Sequence, residues 1–465
     1  MSRINTNVSS LIAQRVLSKN NDQLNQSLER LSTGLKINSG ADDPAGLIAS
    51  ENLKSEQSGI TQAIDNANRA NNIVGTAEGG LSEVSNLLVQ LQSLVSATAN
   101  SGGLSTDEKN ANQLQVDSIL NTINRISQAT SFQGTKLLNG NLAYTTSGVN
   151  STQFDNVQIN SARVPSGGTT NVVVQVTASA QTGEITYSGG ALTSGVTLEI
   201  AGNAGTEQLS FASGATLSSI QTAINAVTTA TGVSATISGT TLKIDSTDYG
   251  SNAFVSVKTV AGPFTASATK DTGRDASVTI NGAAAQANGL DVTYRSADLD
   301  VEFSLDTTFN KAGSGNFEIT GGGATFALGS KVTEADKASL GIQSVSTGSL
   351  GNSTLGYLST LASGGTNSLL SNNLVDAQSI VSKAITQVSQ LRGRLGAFQK
   401  FTLGSTINSL GVAYENASAA ESAIADTDFA SETANLTRAQ ILSQSATTVL
   451  AQANAAPQSV LNLLR

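Results

Sequence analysis

The chain has no cysteine, no histidine and no tryptophan, and only four of its 465 residues are proline. Without cysteine there are no disulfides and no thiolate metal sites. Without histidine, triads of the Ser-His-Asp type, HExxH metallopeptidase sites and histidine-bound zinc are excluded. Neither a GxxxxGK[ST] phosphate loop nor a strand-linked GxGxxG motif occurs. The sequence therefore predicts no enzymatic activity, no cofactor and no metal site.

Aromatic and basic residues are also scarce. Aromatics make up 4% of the chain, and none precedes Phe132 or follows Phe429. The net charge of −9 leaves no basic stripe that could bind nucleic acid. No apolar run reaches the length of about 18 residues that a membrane span needs, and the first residues lack the apolar core of a secretory signal. We expect neither nucleic-acid binding nor membrane insertion.

Apolar residues at steps of three and four predict long helices in both outer thirds of the chain. One stripe runs from Leu53 to Val95 with Glu56 as its only polar break, and another runs from Leu374 to Phe398. Asp43-Pro44 predicts the start of a helix, and Gly79-Gly80 weakens the same helix by roughly 1 kcal/mol per glycine. Shorter stripes lie nearer the ends, at Leu17, Leu24, Leu28, Leu31 and Leu35, and at Leu442, Ala446, Val449, Ala453, Ala456, Val460 and Leu463.

The inner stripes are typical of an intramolecular bundle, with Ser105 and Glu108 as a capping box for a further helix. The outermost helices differ, because they are narrow-striped, rich in alanine and free of aromatics. Two such helices bury too little surface to offset an ordering entropy of about 1–2 kcal/mol per residue. We therefore expect the termini to order fully only when other copies of the chain cover them.

The centre changes to a two-residue period from about Thr170 to Asp306, which predicts short strands. Leu217 to Val227 predicts one short helix within this region, and the glycine cluster Gly321-Gly322-Gly323 is typical of a loop. Asp298, Asp300 and Glu302 alternate with apolar residues, and this pattern suits a solvated strand face better than a calcium or glycosidase site. The predicted fold class is α+β multidomain, with helical coiled-coil or bundle domains built from paired terminal segments and a mostly β outer domain between them.

Three segments carry a resemblance to a known family. LSTGLKINSGADDPAG (Leu31 to Gly46), ISQATSFQGTKLL (Ile126 to Leu138) and AQILSQSATTVLAQANAAPQSVLNLLR (Ala439 to Arg465) resemble the motifs of bacterial flagellins, in the same order. The stretch Ile185 to Asp306 is similar to the hook-IN insert of some flagellins. The resemblance implies a secreted structural subunit that leaves the cell unfolded through type III export. It also implies polymerisation into the extracellular helical filament that drives motility.

The resemblance also implies a division of the chain and a role for each part. The inner helical domain comprises residues 1–45 and 425–465, the helical rod domain 46–178 and 312–424, and the outer β-rich domain 179–311. Self-assembly falls to the inner helices, at Ile4, Val8, Leu11, Leu24, Leu28, Leu31, Leu442, Val449, Leu450, Val460, Leu461 and Leu464. Gly34, Gly40, Asp43 and Pro44 form the inter-domain joint. The rod core comprises Leu81, Val84, Leu88, Leu91, Val95, Val381, Val388, Leu391 and Leu395.

The partners implied are further copies of the chain, an export chaperone on the C-terminal helix, and the filament cap and hook-associated proteins. Flagellins sensed by a host Toll-like receptor carry charges where this chain has Gln90 and Gln115, so we expect weak or absent receptor recognition. Two alternatives stay open at this point. One is a hook–filament junction protein, and the other is a filament subunit whose outer domain also acts as a surface adhesin.

Overall fold

The computed structural model describes residues 6–100, 103–165, 167–371 and 373–463, with the backbone alone described over 456–463. The chain divides into two compact units. The first contains the described parts of 1–69, 327–336 and 401–465, and the second contains those of 70–326 and 337–400. The helices are α1 (Val8–Thr33), α2 (Pro44–Ala99), α3 (Thr106–Ala129), α4 (Leu217–Ala226), α5 (Thr228–Thr231), α6 (Leu374–Ala397), α7 (Gly404–Ala425) and α8 (Phe429–Leu463).

The strands occupy the centre of the sequence. They are β1 (Ser131–Phe132), β2 (Thr135–Lys136), β3 (Tyr144–Ser147), β4 (Phe154–Ala162), β5 (Thr170–Ala178), β6 (Glu184–Tyr187), β7 (Val196–Ala201), β8 (Thr206–Phe211), β9 (Val233–Ser238), β10 (Thr241–Ser246), β11 (Phe254–Ala261), β12 (Lys270–Thr272), β13 (Ser277–Ile280), β14 (Ala283–Ala284), β15 (Gln286–Asn288), β16 (Asp291–Arg295), β17 (Leu299–Leu305), β18 (Gly313–Gly322), β19 (Ala324–Ala327), β20 (Lys337–Leu340), β21 (Gly351–Asn352) and β22 (Gly356–Tyr357). Short 3₁₀ turns lie at Glu334–Asp336 and Leu358–Leu361, and a π-helix, Phe398–Leu403, joins α6 to α7. The predicted α+β class is confirmed.

The start of α2 and its buried stripe follow the sequence pattern. The Asp43 carboxylate accepts a hydrogen bond from the Gly46 amide at 2.9 Å, which satisfies one of the free amides at the helix start. From Ile60 onward the predicted stripe is buried as far as Val95, while Glu56 is exposed. The capping box of α3 is also present, with Ser105 and Glu108 bonded to each other's backbone amides. Both helix starts are therefore encoded locally.

A helical core fills one part of the second unit. Side chains from α2, α3 and α6 meet there with Leu137, Leu138 and residues of the segment 340–369. All nine predicted rod-core side chains lie in this cluster, and each is at most 3% exposed. Their role in a rod domain stays a prediction.

Two antiparallel sheets enclose a second core in the same unit, with strand orders β14-β13-β5-β18-β3 and β15-β16-β17-β4. Alternate residues of β5 and β17 point inward, as the two-residue period requires. Phe154 lies at its centre and makes edge-to-face contacts with Phe303 at 5.4 Å and Phe317 at 5.7 Å. The β structure therefore extends beyond the expected 170–306 range, and the first of these sheets crosses both 178/179 and 311/312.

A third core lies between β5 and β13 in the sequence. It is formed by the sheets β6-β10-β9 and β12-β11-β7-β8 together with α4, and it includes the buried Ile220 and Ile224 of that helix. The chain enters and leaves this insert at an isolated antiparallel bridge between Gln181 and Arg274. The predicted short helix is confirmed, and Gly239-Thr240 forms the hairpin turn between β9 and β10.

Candidate assembly surface

The two ends of the chain pair with each other in the first unit. Helices α1 and α8 run antiparallel, as their side-chain bonds show. The Ser10 hydroxyl donates to Asn454 at 2.7 Å, and the Ser443 hydroxyl donates to Asn21 at 2.8 Å. Near the other end of α1, the Arg30 guanidinium lies 3.8 Å from a carboxylate oxygen of the buried Glu432. Residues more than 400 positions apart thus form one helical pair.

The seam between α1 and α8 is built from small and polar residues with leucines at intervals. Buried positions recur at steps of three or four or at multiples of seven, which is the spacing of a coiled-coil seam. The buried residues are Ser10, Ala13, Asn20 and Ser27 on α1, and Glu432, Ala439 and Ala446 on α8. The half-buried residues that complete the seam are Leu17, Leu24 and Leu31, with Leu436, Ser443 and Leu450 opposite.

Large apolar side chains lie on the outside of the same pair. We call this set the outer apolar face, and exposed fractions of its members range from 42% to 60%. Single exposed apolar residues are ordinary, but a run of them along one helix pair marks an interaction surface. The outer apolar face comprises Val8, Leu11, Ile12, Val16 and Leu28 of α1, and Ile441, Leu442 and Val449 of α8.

The linker from α1 to α2 and the linker from α7 to α8 lie against each other. Gly34 ends α1 in the left-handed conformation, with φ of 77°, which glycine adopts without strain. Its neighbour Leu35 forms an antiparallel bridge with Asp426, and the Lys36 amide donates to the Ala425 carbonyl at 2.7 Å. Both linkers are therefore fixed to each other by backbone bonds.

The Asp42 carboxylate organises the rest of the first linker. It accepts bonds from the Ser39 amide at 2.9 Å, the Asn38 amide at 3.2 Å and the Gln26 side chain at 2.9 Å. These donors, the Ser39 amide foremost, lower the pKa of Asp42. Gly46 has no space for a side chain, because an added Cβ would lie 2.6 Å from Ile37.

Comparison with known proteins agrees with the pairing of the N-terminal and C-terminal helices. The model of the bacterial flagellin N-terminal helical region matches residues 4–143, that of the C-terminal helical region matches 378–464, and the flagellin hook IN motif matches 197–248. Flagellin B of Vibrio cholerae is 30% identical over 99% of both chains, and polar flagellin F of Vibrio parahaemolyticus is 31% identical over 99% of both. The chain belongs to the bacterial flagellin family. It is a structural subunit of the extracellular flagellar filament.

A solved structure gives a weaker likeness. The structure of FliC from Burkholderia pseudomallei is 15% identical, and the match covers 71% of this chain and 99% of that one with a TM-score of 0.24. Among the helices of the described residues, none is long and apolar enough to cross a membrane.

The predicted assembly residues fall into three groups on this flagellin. Val8, Leu11, Leu28, Leu442 and Val449 lie on the outer apolar face. Leu24, Leu31 and Leu450 are half-buried in the seam. Ile4 and Leu464 lie outside the described residues, as do the side chains of Val460 and Leu461.

Most of the small residues of the seam were missed by sequence reasoning. Ala13, Asn20, Ser27 and Ala439 give no hydrophobic signal of their own. Their spacing of three and four along the chain, interleaved with Leu17, Leu24 and Leu31, could have revealed them. Of the predicted joint residues, Gly34 and Asp43 have defined structural roles, Pro44 opens α2, and Gly40 has space for a side chain.

The acidic strand face differs from the sequence interpretation. Asp298 is exposed, but Asp300 and Glu302 keep only 22% and 24% of their side-chain surface, so the solvated-face interpretation is wrong for these two. Burial is the main cause that raises the pKa of Asp300, while Arg295 and Arg394 oppose it. The Arg394 guanidinium, whose pKa burial lowers, makes no hydrogen bond through its Nε and Nη1 atoms. Residues of β4, β16, β17 and α6 line a cavity of about 150 Å³, and Glu302 and Lys383 are among them.

Proposed function

We propose that the outer apolar face is the surface through which copies of this flagellin polymerise. The proposal rests on the exposure of large apolar side chains, such as Leu11 at 57% and Val449 at 59%. They lie on a helix pair whose own seam is built mostly from small side chains. Full burial of one such side chain contributes about 1.5–3 kcal/mol, so several together supply a stable contact. In the filament, neighbouring subunits would cover the outer apolar face.

Val449→Asp tests this assignment. The Val449 side chain is exposed in the single chain. We therefore expect the substitution to change the free energy of unfolding of that chain by no more than about 0.5 kcal/mol. In the filament each copy would bury an unpaired carboxylate, at a cost of several kcal/mol per subunit. Seeded polymerisation followed by electron microscopy should therefore show no growth, while calorimetry of the monomer shows an unchanged transition.

Val449→Thr is the matched control, since it keeps the shape and adds no charge. We expect it to polymerise, at a somewhat higher critical concentration than the parent. Growth of Val449→Asp at the parent rate would refute the role of the outer apolar face.

We further propose that the same face is covered before export. An export chaperone on α8 would bury Leu442 and Val449 until the chain leaves the cell unfolded, and cap and hook-associated proteins would meet the filament at its ends. Chaperone binding that survives Val449→Asp undiminished would argue against a shared surface.

Two roles are proposed to be absent. Gln90 and Gln115 are exposed and uncharged, which supports weak recognition by a flagellin-sensing Toll-like receptor, and a cell reporter assay with purified monomer would reveal strong recognition. The family is structural, and the proposal that this chain catalyses no reaction rests on its lack of histidine and cysteine. Turnover that disappears in Glu302→Gln would overturn it.

A further inference from the structure

We propose that polar residues in the seam fix the register of α1 against α8, and that Asn20 is the decisive one. Pairing of the terminal helices does not by itself set how far one is shifted along the other. This inference deepens the proposed assembly role, because a slipped pair would combine the two halves of the outer apolar face differently.

The observed register follows from bonds along the whole pair. Ser10 bonds to Asn454, Asn21 bonds to Ser443, and Arg30 faces Glu432. A step of one residue forward along α1 therefore corresponds to a step of about one residue back along α8. The Asn7 side chain also donates to the Ala453 carbonyl at 2.7 Å. This register brings large residues level with small ones, namely Leu17 with Ala446, Leu24 with Ala439, Ala13 with Leu450 and Ser27 with Leu436.

The apolar residues alone do not select that register. If α8 slipped by one heptad so that Leu17 met Ala453, then Leu24 would meet Ala446, and both leucines would again face alanine. A seven-residue repeat always offers such a slip, because it returns the same face of the helix to the seam.

Asn20 separates the two registers. In the observed register it is level with Ser443, a polar residue that already takes part in the bond to Asn21. After the slip described above it would be level with Leu450, and after the opposite slip with Leu436. Asn20 is 7% exposed, so its amide would then be buried against an apolar side chain. A buried asparagine that rejects wrong registers at some cost in stability is a known device of coiled coils.

The absence of cysteine from the chain permits a direct test with engineered disulfides. The side chains of Ser10 and Asn454 are 2.7 Å apart. Leu24 lies two heptads after Ser10, and Gln440 lies two heptads before Asn454. Leu24→Cys with Gln440→Cys therefore reports the observed register. Leu24→Cys with Thr447→Cys reports the slipped one. Intrachain disulfides are identified in the monomer-sized band by mass spectrometry of tryptic peptides, in soluble full-length chain and in seeded filaments.

In the parent sequence we expect only the first cysteine pair to form a disulfide. Adding Asn20→Leu should produce the slipped disulfide and reduce the observed-register one. Asn20→Ser, which keeps a polar group in the seam, should behave as the parent does. Asn25→Leu is the matched control, since Asn25 is exposed on the same helix and lies outside the seam.

Asn20→Leu that forms only the observed-register disulfide would overturn the proposal, as would equal slippage of Asn25→Leu. A variant that neither pairs nor polymerises would also overturn it, because leucine in the seam should strengthen pairing. The outcome is distinguishable from that of the assembly test, because the disulfides report the register of the soluble chain, whereas Val449→Asp leaves the register unchanged and alters only the outer apolar face.

Discussion

At the scale of single residues, the carboxylate of Asp300 is a charged group in a partly buried position that disfavours its ionised form. It accepts a hydrogen bond from Asn160 at 3.0 Å and lies 3.7 Å from Arg295, yet burial outweighs these favourable contacts. An aspartate whose pKa is raised in the folded chain binds its proton more tightly there than in the unfolded chain. Its ionised form therefore lowers stability above the folded pKa, and this cost disappears once pH falls below the ordinary aspartate range.

Asp300→Asn should raise the free energy of unfolding at pH 7. Because the group is only partly buried, we expect a gain of less than about 1 kcal/mol. The gain should shrink as pH falls through the raised pKa of the folded chain, and it should vanish below about 4, where Asp300 is protonated in both states. Urea denaturation of parent and variant across this pH range measures the difference.

Asp298→Asn is the control at the same strand. Asp298 pairs with Arg163 at 3.0 Å, but both side chains are exposed, so its removal should change stability by no more than about 1 kcal/mol at any pH. A loss of stability in Asp300→Asn at pH 7 would contradict the sign of the argument.

At the scale of elements, α2 continues without a break through Gly79 and Gly80, where the sequence indicated a weak point. The two glycines differ in their surroundings. A Cβ added at Gly79 would meet nothing within 4 Å, whereas one at Gly80 would lie 2.7 Å from the Thr130 hydroxyl and 2.8 Å from the buried Leu138. Gly80 therefore permits the segment after α3 to approach the helix closely.

Alanine at these two positions should have opposite effects. Gly79→Ala should stabilise the helical core by about 0.5–1 kcal/mol, the ordinary difference in helix propensity. Gly80→Ala should destabilise it by about 1–3 kcal/mol, because the packed Leu138 cannot move aside. Denaturation followed by helical circular dichroism gives both values, and equal shifts of one sign would exclude the packing explanation.

Elements with a strong local signal could be predicted from the sequence, and others could not. The stripes of α2 and α6 are made of Leu, Ile, Val and Ala on one helix, so their burial needed no knowledge of a partner. The seam of α1 and α8 depends on residues at opposite ends of the chain, and alanine or serine there gives little signal. Strands β4 and β18 were missed because Asn, Gln and Gly interrupt their alternation. The electrostatic surroundings of Asp300 include Arg394, which lies far away in sequence.

At the scale of the whole molecule, the insert between β5 and β13 has a natural point of removal. Gln181 and Arg274 exchange backbone bonds of 2.8 and 2.9 Å, so the two chain passages are already paired there. Deleting 179–311, the segment that the predicted domain boundaries indicate, would instead remove β13 and β17, which pair with β5 and β4. That larger deletion would open the second core.

Removing 183–272 together with Thr182→Asn should leave a chain that folds and polymerises. The change joins Gln181 to Arg274 through Asn-Gly, the preferred two-residue hairpin turn. We expect filaments that grow at the normal rate, measured by seeded polymerisation. Their mass per length, measured by scanning transmission electron microscopy, should be smaller. Deletion of 179–311 is the comparison, and we expect that chain to misfold; the reverse ranking would show that the insert is not independent.

The pairing of α1 with α8 also has a consequence in time. A ribosome makes α1 long before α8, and bonds such as that from Asn7 to Ala453 join residues 446 positions apart. Contacts of such long range form late, because their loop must close before they gain anything. A chain that stops before α8 has no second helix to close the pair. The helix pair thus separates truncated chains from longer ones, since its closed form exists only in a chain whose synthesis has passed through α8.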